Sequence, residues 1–310
     1  MQPAVSLLWL RRDLRLADQA ALLAACANGT VVPVYVLDDE GAAHRRLGAA
    51  SRWWLHHSLQ ALDRALQARG SRLILRRGRS EDVLAQLAVE CGARQVHGLH
   101  HYEPWWRNAE RAVAKRLELH LHHGNFLAPP GSVLNGSGQP YRIYTPFWRA
   151  LSQRLPPSDP MPAPSRIPAP ASWPQSERLE DWALLPTRPD WAGGLREEWS
   201  PGEAGATARL EAFASRAARY AERRNLPTVE GTSRLSPHFA FGELSPATVW
   251  HAIAGQGGTV ETFLGELGWR DYAQNVILQL PAYGSENDPP QAIYARWRCG
   301  APCFVRQVPA

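Results

Sequence analysis

Short apolar runs alternate with helix-like segments through the first 128 residues, and this alternation does most to narrow the fold. The runs are Val5–Leu10, Val31–Leu37, Arg72–Arg76, Gln95–Leu99 and Leu117–His122. They are β-branched or leucine-rich, as expected of parallel strands buried on both faces. Helical patterns intervene at Gln19–Ala27, Ser51–Arg69, Ser80–Cys91 and Trp105–Arg116. In the second of these, Trp54, Leu55, Leu59, Leu62 and Leu66 fall on one stripe, and Gly70 is placed to end the helix. Repeated β and α units of this length predict a doubly wound parallel sheet.

A dinucleotide site is the first function to test against such a sheet, and the sequence excludes it. After the first strand the chain reads Arg11-Arg12-Asp13-Leu14-Arg15-Leu16-Ala17-Asp18. Without glycine, the tight turn and close phosphate approach of the fingerprint cannot form. Asp18 reads as a helix N-cap, and the arginines as structural ion pairs. Among the other residues, Cys26, Cys91, Cys299 and Cys303 are too few and scattered for a disulfide framework and read as reduced thiols. His120, His122 and His123 read as a solvated strand end. No apolar run approaches the length of a membrane span. Met1–Leu10 has no basic stretch before its apolar residues, so it reads as a strand and not a signal peptide, and the cytoplasm is the expected location. The net charge is +5, with Lys115 the only lysine, a balance that permits a nucleic-acid partner without requiring one.

The pattern changes beyond Pro129. Eleven of the 26 prolines lie between Pro156 and Pro201, where neither helices nor central strands can run, so a long crossing connection is predicted. Helical patterns return at Ala206–Arg224, with Leu210, Phe213, Ala217 and Tyr220 on one face. A second helix is predicted to start at Ser245-Pro246 and a third to run over Thr259–Leu280. The expected organisation is an α/β domain over 1–128, a connection over 129–205, the beginning of an all-α domain over 206–297 and a tail over 298–310.

Two stretches carry candidate chemistry. In Val229-Glu230-Gly231-Thr232-Ser233-Arg234-Leu235-Ser236-Pro237, a glycine permits close backbone approach, and three hydroxyls and a guanidinium follow. The stretch reads as a phosphate cradle or as a polar turn capping a helix. In Glu266-Leu267-Gly268-Trp269-Arg270-Asp271, the residues Glu266, Trp269 and Arg270 stand at i, i+3 and i+4. They form either an ion pair over a packed tryptophan or the wall of a cavity for a flat, polar ligand such as a base.

Four segments in order resemble the photolyase/cryptochrome family. Leu8–Asp18 resembles its opening "WxRxDLRxxD", and Tyr141-Arg142-Ile143-Tyr144-Thr145-Pro146-Phe147 resembles its "YxxxTPF". Glu230–Ser236 resembles the flavin-phosphate loop "EGTSRLS", and Glu266–Asp271 resembles "ExxWRE/D". The closest resemblance is to bacterial class I cyclobutane pyrimidine dimer photolyases. It implies a doubly wound domain followed by a helical FAD-binding domain, here incomplete. It also implies light-driven repair of UV-damaged DNA by a cytoplasmic monomer, with a cryptochrome-like blue-light sensor as the alternative. By the same resemblance Tyr220, Thr232, Ser233, Arg234, Leu235, Ser236 and Phe263 contact FAD. Arg224 and Arg270 contact DNA, and Glu266 and Trp269 receive the flipped dimer. Tyr102-Glu103 matches the family's antenna site, for folate or deazaflavin, but Trp105-Trp106 replace its polar pair. The resemblance fades after Ile293-Tyr294-Ala295-Arg296, where truncation or a frameshift is expected to have removed the family's last helices.

Overall fold

The computed structural model describes residues 4–39, 46–256 and 260–281. Cys299, Cys303 and the expected tail lie outside them. Five strands, β1 (Ala4–Leu10), β2 (Gly29–Leu37), β3 (Ile74–Arg77), β4 (Gln95–Leu99) and β5 (Glu118–His122), pair in parallel in the order β3-β2-β1-β4-β5. Alternate residues of β1 serve the two faces, as strand geometry requires. Leu8 and Leu10 pack beneath α1 (Ala20–Asn28) and α2 (Ala49–Gln67). Leu7 and Trp9 pack against α3 (Ser80–Cys91) and α4 (Pro104–Ala114). The sheet is therefore doubly wound, and the predicted stripe Trp54, Leu55, Leu59, Leu62 and Leu66 is buried throughout. Asp18 is not the predicted cap. It takes a left-handed φ of 50°, and its carboxylate accepts instead from the N–H of Met161 in the connection, at 3.2 Å.

The proline-rich connection closes this domain. Ile167, Trp182, Leu184 and Ala192 are buried in the core under α1 and α2. Along β3, Leu75 N–H donates to the Ser176 hydroxyl and Leu75 C=O accepts from Glu177 N–H, so the connection covers an edge that would otherwise be open for pairing.

The helical part consists of α5 (Tyr144–Ser152), α6 (Gly193–Glu198), α7 (Glu203–Ala214), α8 (Tyr220–Arg223), α9 (Ser236–Phe241), α10 (Pro246–Ala254) and α11 (Glu261–Gln279). Ser245 caps α10 as its sequence implies, its hydroxyl accepting from Thr248 N–H at 3.0 Å. The single helix predicted over Ala206–Arg224 is broken into α7, a 3₁₀ turn and α8. At the break the Ser215 hydroxyl turns back to the Ala212 carbonyl, a local bond that competes with helix continuation. Leu210, Phe213, Ala217 and Tyr220 nevertheless share one core with α5, α10 and α11.

The turn after β1 joins the two parts. Arg11 pairs with Glu110 at 2.7 Å inside the α/β domain, the structural ion pair its sequence suggested. Arg12 donates to the Ala240 carbonyl at 2.9 Å, and Arg15 donates to the Gly242 carbonyl at 3.0 Å. Leu14 N–H donates to the Phe241 carbonyl at 3.0 Å. Gly242 ends α9 with φ +65°, and a Cβ there would stand 2.1 Å from the Arg12 carbonyl oxygen. Its neighbour Glu243 is fully buried. The carboxylate accepts from Trp54 Nε1 at 3.0 Å, Gly202 N–H at 2.8 Å and the Ser58 hydroxyl, with His238 Nδ1 at 2.5 Å. Glu243→Ala would strand these groups without solvent, and a loss of about 3–5 kcal/mol of stability is expected. Urea unfolding of the two chains measures it, and a change below about 1 kcal/mol would show that the junction does not depend on this carboxylate.

Candidate functional site

α8 and α11 bring five of the expected site residues side by side. Tyr220 opens α8, its ring edge-on to Phe213 and Phe263 with centroids 5.9 and 5.2 Å away. Arg224, at the end of α8, lies over the Tyr220 ring at 5.2 Å and forms an ion pair with Glu266 Oε1 of α11. One turn further along α11, Trp269 stacks flat on Tyr144 of α5, with ring centroids 3.6 Å apart and planes at 9°. Trp269 still exposes 47% of its surface, so one face is covered and the other is open. The result is a continuous strip of aromatic ring, ion pair and open indole. Burial, reinforced by the Glu266 carboxylate, pushes the Tyr144 phenol up to about 12, and the same two causes raise Tyr220.

The loop before α9 packs against this strip. Gly231 sits so close to α8 that a Cβ would fall 2.4 Å from the Arg223 carbonyl oxygen. Thr232 and Ser236 are exposed, Ser233 is half-buried and Leu235 is buried in the helical core. Arg234 adopts φ +54°. Its guanidinium pairs with Glu198 at 3.0 Å and lies over Trp199 at 4.6 Å. The hydroxyls are thus open to a ligand, while Arg234 already has a carboxylate partner.

Arg270 departs from the expected arrangement. Glu266, Trp269 and Arg270 stand on one broad helical face, but neighbours from other elements draw them apart. The ion-pair partner of Glu266 is Arg224, and Arg270 turns away between the rings of Phe126 and Phe239, at 5.5 and 4.5 Å. Burial there lowers its pKa from the ordinary arginine value. Arg270 lines the cleft between the two parts.

That cleft, of about 530 Å³, opens at the carboxyl ends of β1, β2 and β4. Arg12, Asp38, His101, Trp105 and Trp106 line the sheet side, and Phe239 and Arg270 line the helical side. In doubly wound sheets ligands bind at such a place, where neighbouring strands lead to opposite faces. The sequence pointed to Trp105 and Trp106 only as departures from a pattern. It gave no sign that Arg12 and Arg270 would close the cleft from two sides.

The family pattern described as DNA photolyase matches residues 6–165. The chain belongs to the DNA photolyase family. It is 40% identical over 299 residues to a deoxyribodipyrimidine photo-lyase of Agrobacterium fabrum, covering 93% of this chain and 62% of that protein. An uncharacterized 31.6 kDa protein of Synechococcus sp. PCC 6716 is 35% identical, covering 88% of this chain and 100% of its own. The crystal structure of a bacterial class III photolyase from Agrobacterium tumefaciens matches with TM-score 0.87 at 39% identity, over 93% of this chain and 61% of that one. The chain thus spans about 60% of the length of these photolyases. The motifs resemble those of class I members, and the Agrobacterium tumefaciens neighbour is described as class III. Among the described residues no helix is long and apolar enough to cross a membrane.

One acidic group beside the strip sets a pH dependence. Asp271 is almost fully buried on α11, and Oδ2 accepts from Ala128 N–H at 3.0 Å. Burial pushes its pKa up to about 7 from an ordinary 3.8, against the opposing pull of Ala128 N–H and Arg270. Between these values the folded chain holds a proton that the unfolded chain has released. Stability therefore falls as pH rises from about 4 towards 7. Asp271→Asn, which keeps the acceptor and cannot ionise, is expected to flatten this slope and raise the unfolding midpoint at pH 8. Thermal unfolding at pH 5 and pH 8 measures both, and parallel slopes for the two chains would contradict it.

Proposed function

We propose that the site to which this chain contributes repairs cyclobutane pyrimidine dimers in DNA by light-driven electron transfer, with FAD as cofactor. The observation that carries this reading is the strip on α8 and α11, where aromatic rings, a carboxylate and an open indole stand in line. A flipped, unstacked dimer is flat on one side and carries amide and carbonyl groups at its edge. The open face of Trp269 suits the flat side, and Glu266 Oε2 suits an N–H at the edge. Arg224, partly exposed beside them, suits a flanking phosphate once Glu266 turns to the dimer.

The residues present fit a flavin in part. The exposed hydroxyls of Thr232 and Ser236, with Ser233 between them, would hold the phosphates with a contribution from Arg234 and the backbone at Leu235. Tyr220 and Phe263 would border the ring system. A bound, reduced flavin would supply the light-driven one-electron chemistry that opening the cyclobutane ring requires. The chain's own residues hold cofactor and lesion in contact and need no acid–base pair. The interdomain cleft is assigned to an antenna chromophore, a folate or a deazaflavin. Two tryptophans and Phe126 offer apolar walls for a flat heterocycle, while Arg12 and Arg270 suit its anionic groups.

Titration of dimer-containing and intact duplex at two salt concentrations tests the repair reading. Trp269→Ala should weaken binding of the damaged duplex about tenfold, within the range for loss of one stacking platform, and leave the intact duplex nearly unchanged. Arg224→Ala should weaken both and flatten the salt dependence, as loss of a phosphate contact does. Equal losses on both duplexes for Trp269→Ala would remove it from a lesion pocket.

A further inference from the structure

Trp269 is held to an unusual degree for a residue with 47% of its surface exposed. Tyr144 covers one face in a stack 3.6 Å deep, and its phenol donates to the Gly265 carbonyl at 2.7 Å, one turn before Trp269 on the same helix. Tyr144 is therefore fastened to the backbone of α11 as well as to the indole. Behind it, Trp148 fills the space that a side chain at Gly268 would need, since a Cβ there would stand 2.4 Å from the Trp148 ring. Tyr272 closes the edge. Its ring meets Trp269 at 78° with centroids 5.7 Å apart, and its hydroxyl donates to the Arg142 carbonyl at 2.6 Å.

An aromatic side chain kept only for packing gains by turning its whole surface inward, away from water. Here one face is covered by Tyr144, which Trp148 backs, and one edge by Tyr272, while the other face is left to solvent. Fixing the ring before a ligand arrives removes the ordering cost that binding would otherwise carry. We propose that Tyr144 is a positioning residue for lesion recognition, holding the Trp269 indole in one plane so that its free face receives an unstacked pyrimidine. It acts through Trp269 and does not touch the DNA. This assignment rests on the reading of Trp269 given above.

The test uses the full chain and labelled oligothymidylate, UV-irradiated or not, in anisotropy titrations. Relative to the unmodified chain, Trp269→Ala should lose about tenfold on the irradiated strand, and Tyr144→Leu should lose about three- to fivefold. The double variant should be no weaker than Trp269→Ala alone, the non-additivity expected when one residue acts only through the other. Tyr144→Phe, which keeps the stack, should stay within about twofold of the unmodified chain. The near-ultraviolet circular dichroism band lost in Trp269→Ala should also be lost in Tyr144→Leu and kept in Tyr144→Phe. If the leucine variant has no cooperative unfolding transition, Tyr144→Met, flexible and similar in volume, takes its place. Additive losses in the double variant, unchanged binding by Tyr144→Leu, or tighter binding because a pyrimidine replaces Tyr144, would each overturn the proposal and leave the Trp269 reading standing. No loss for Trp269→Ala itself would overturn that reading, and the proposal with it.

Discussion

The turn that follows β1 uses its hydrogen-bonding capacity on the other half of the molecule. Arg12, Leu14 and Arg15 donate to the carbonyls of Ala240, Phe241 and Gly242, and the N–H groups of Leu16 and Ala17 donate to Glu203. α9 can approach this closely because Gly242 leaves no side chain in the way. The buried Glu243 then satisfies donors from α2, from the connection and from α9 at once. In a low-dielectric setting such a group is costly unless every partner is present, so the junction has one arrangement and tolerates few others. The interdomain cleft, and the packing of the loop before α9 against α8, follow from it.

The strip on α8 and α11 depends on that placement in turn. Leu235 anchors the loop before α9 in the helical core, and α11 is tied to the segment following β5 by Asp271 and Asn275, which accept from the N–H groups of Ala128 and Gly131. Arg224 and Glu266 come from different helices and meet only because both ends of the helical part are fixed. Their pairing is half-exposed, and such pairs contribute little to stability. It is better understood as an arrangement of charge around the open indole than as a fastening.

Much of this was legible in the residues. The strands and the first four helices follow from hydrophobic period, and Ser245-Pro246 announces a helix start by its capping chemistry. Glu266, Trp269 and Tyr220 were found from motifs, and the structure places them together. What was not legible arises from distance along the chain. Asp18 looks like a cap locally, but a segment some 140 residues later takes its carboxylate. Arg270 shares a helical spacing with Glu266, yet aromatic rings contributed by residues 126 and 239 decide where it points. Tyr144 was visible as part of a motif, while its stacking partner lies 125 positions away, and no periodicity connects the two.

The burial of Ile167, Trp182, Leu184 and Ala192 beneath α1 and α2 bears on how the chain reaches its native state. The five strands are complete by residue 122, but the core between the sheet and the helices α1 and α2 is not closed until these later residues arrive. Contacts of such high sequence separation form slowly, and a chain emerging from the ribosome carries exposed leucine and tryptophan until the proline-rich stretch has cleared the exit. Prolines suit that interval. A segment that cannot extend a helix or enter a central strand stays available to close the open margin of that core.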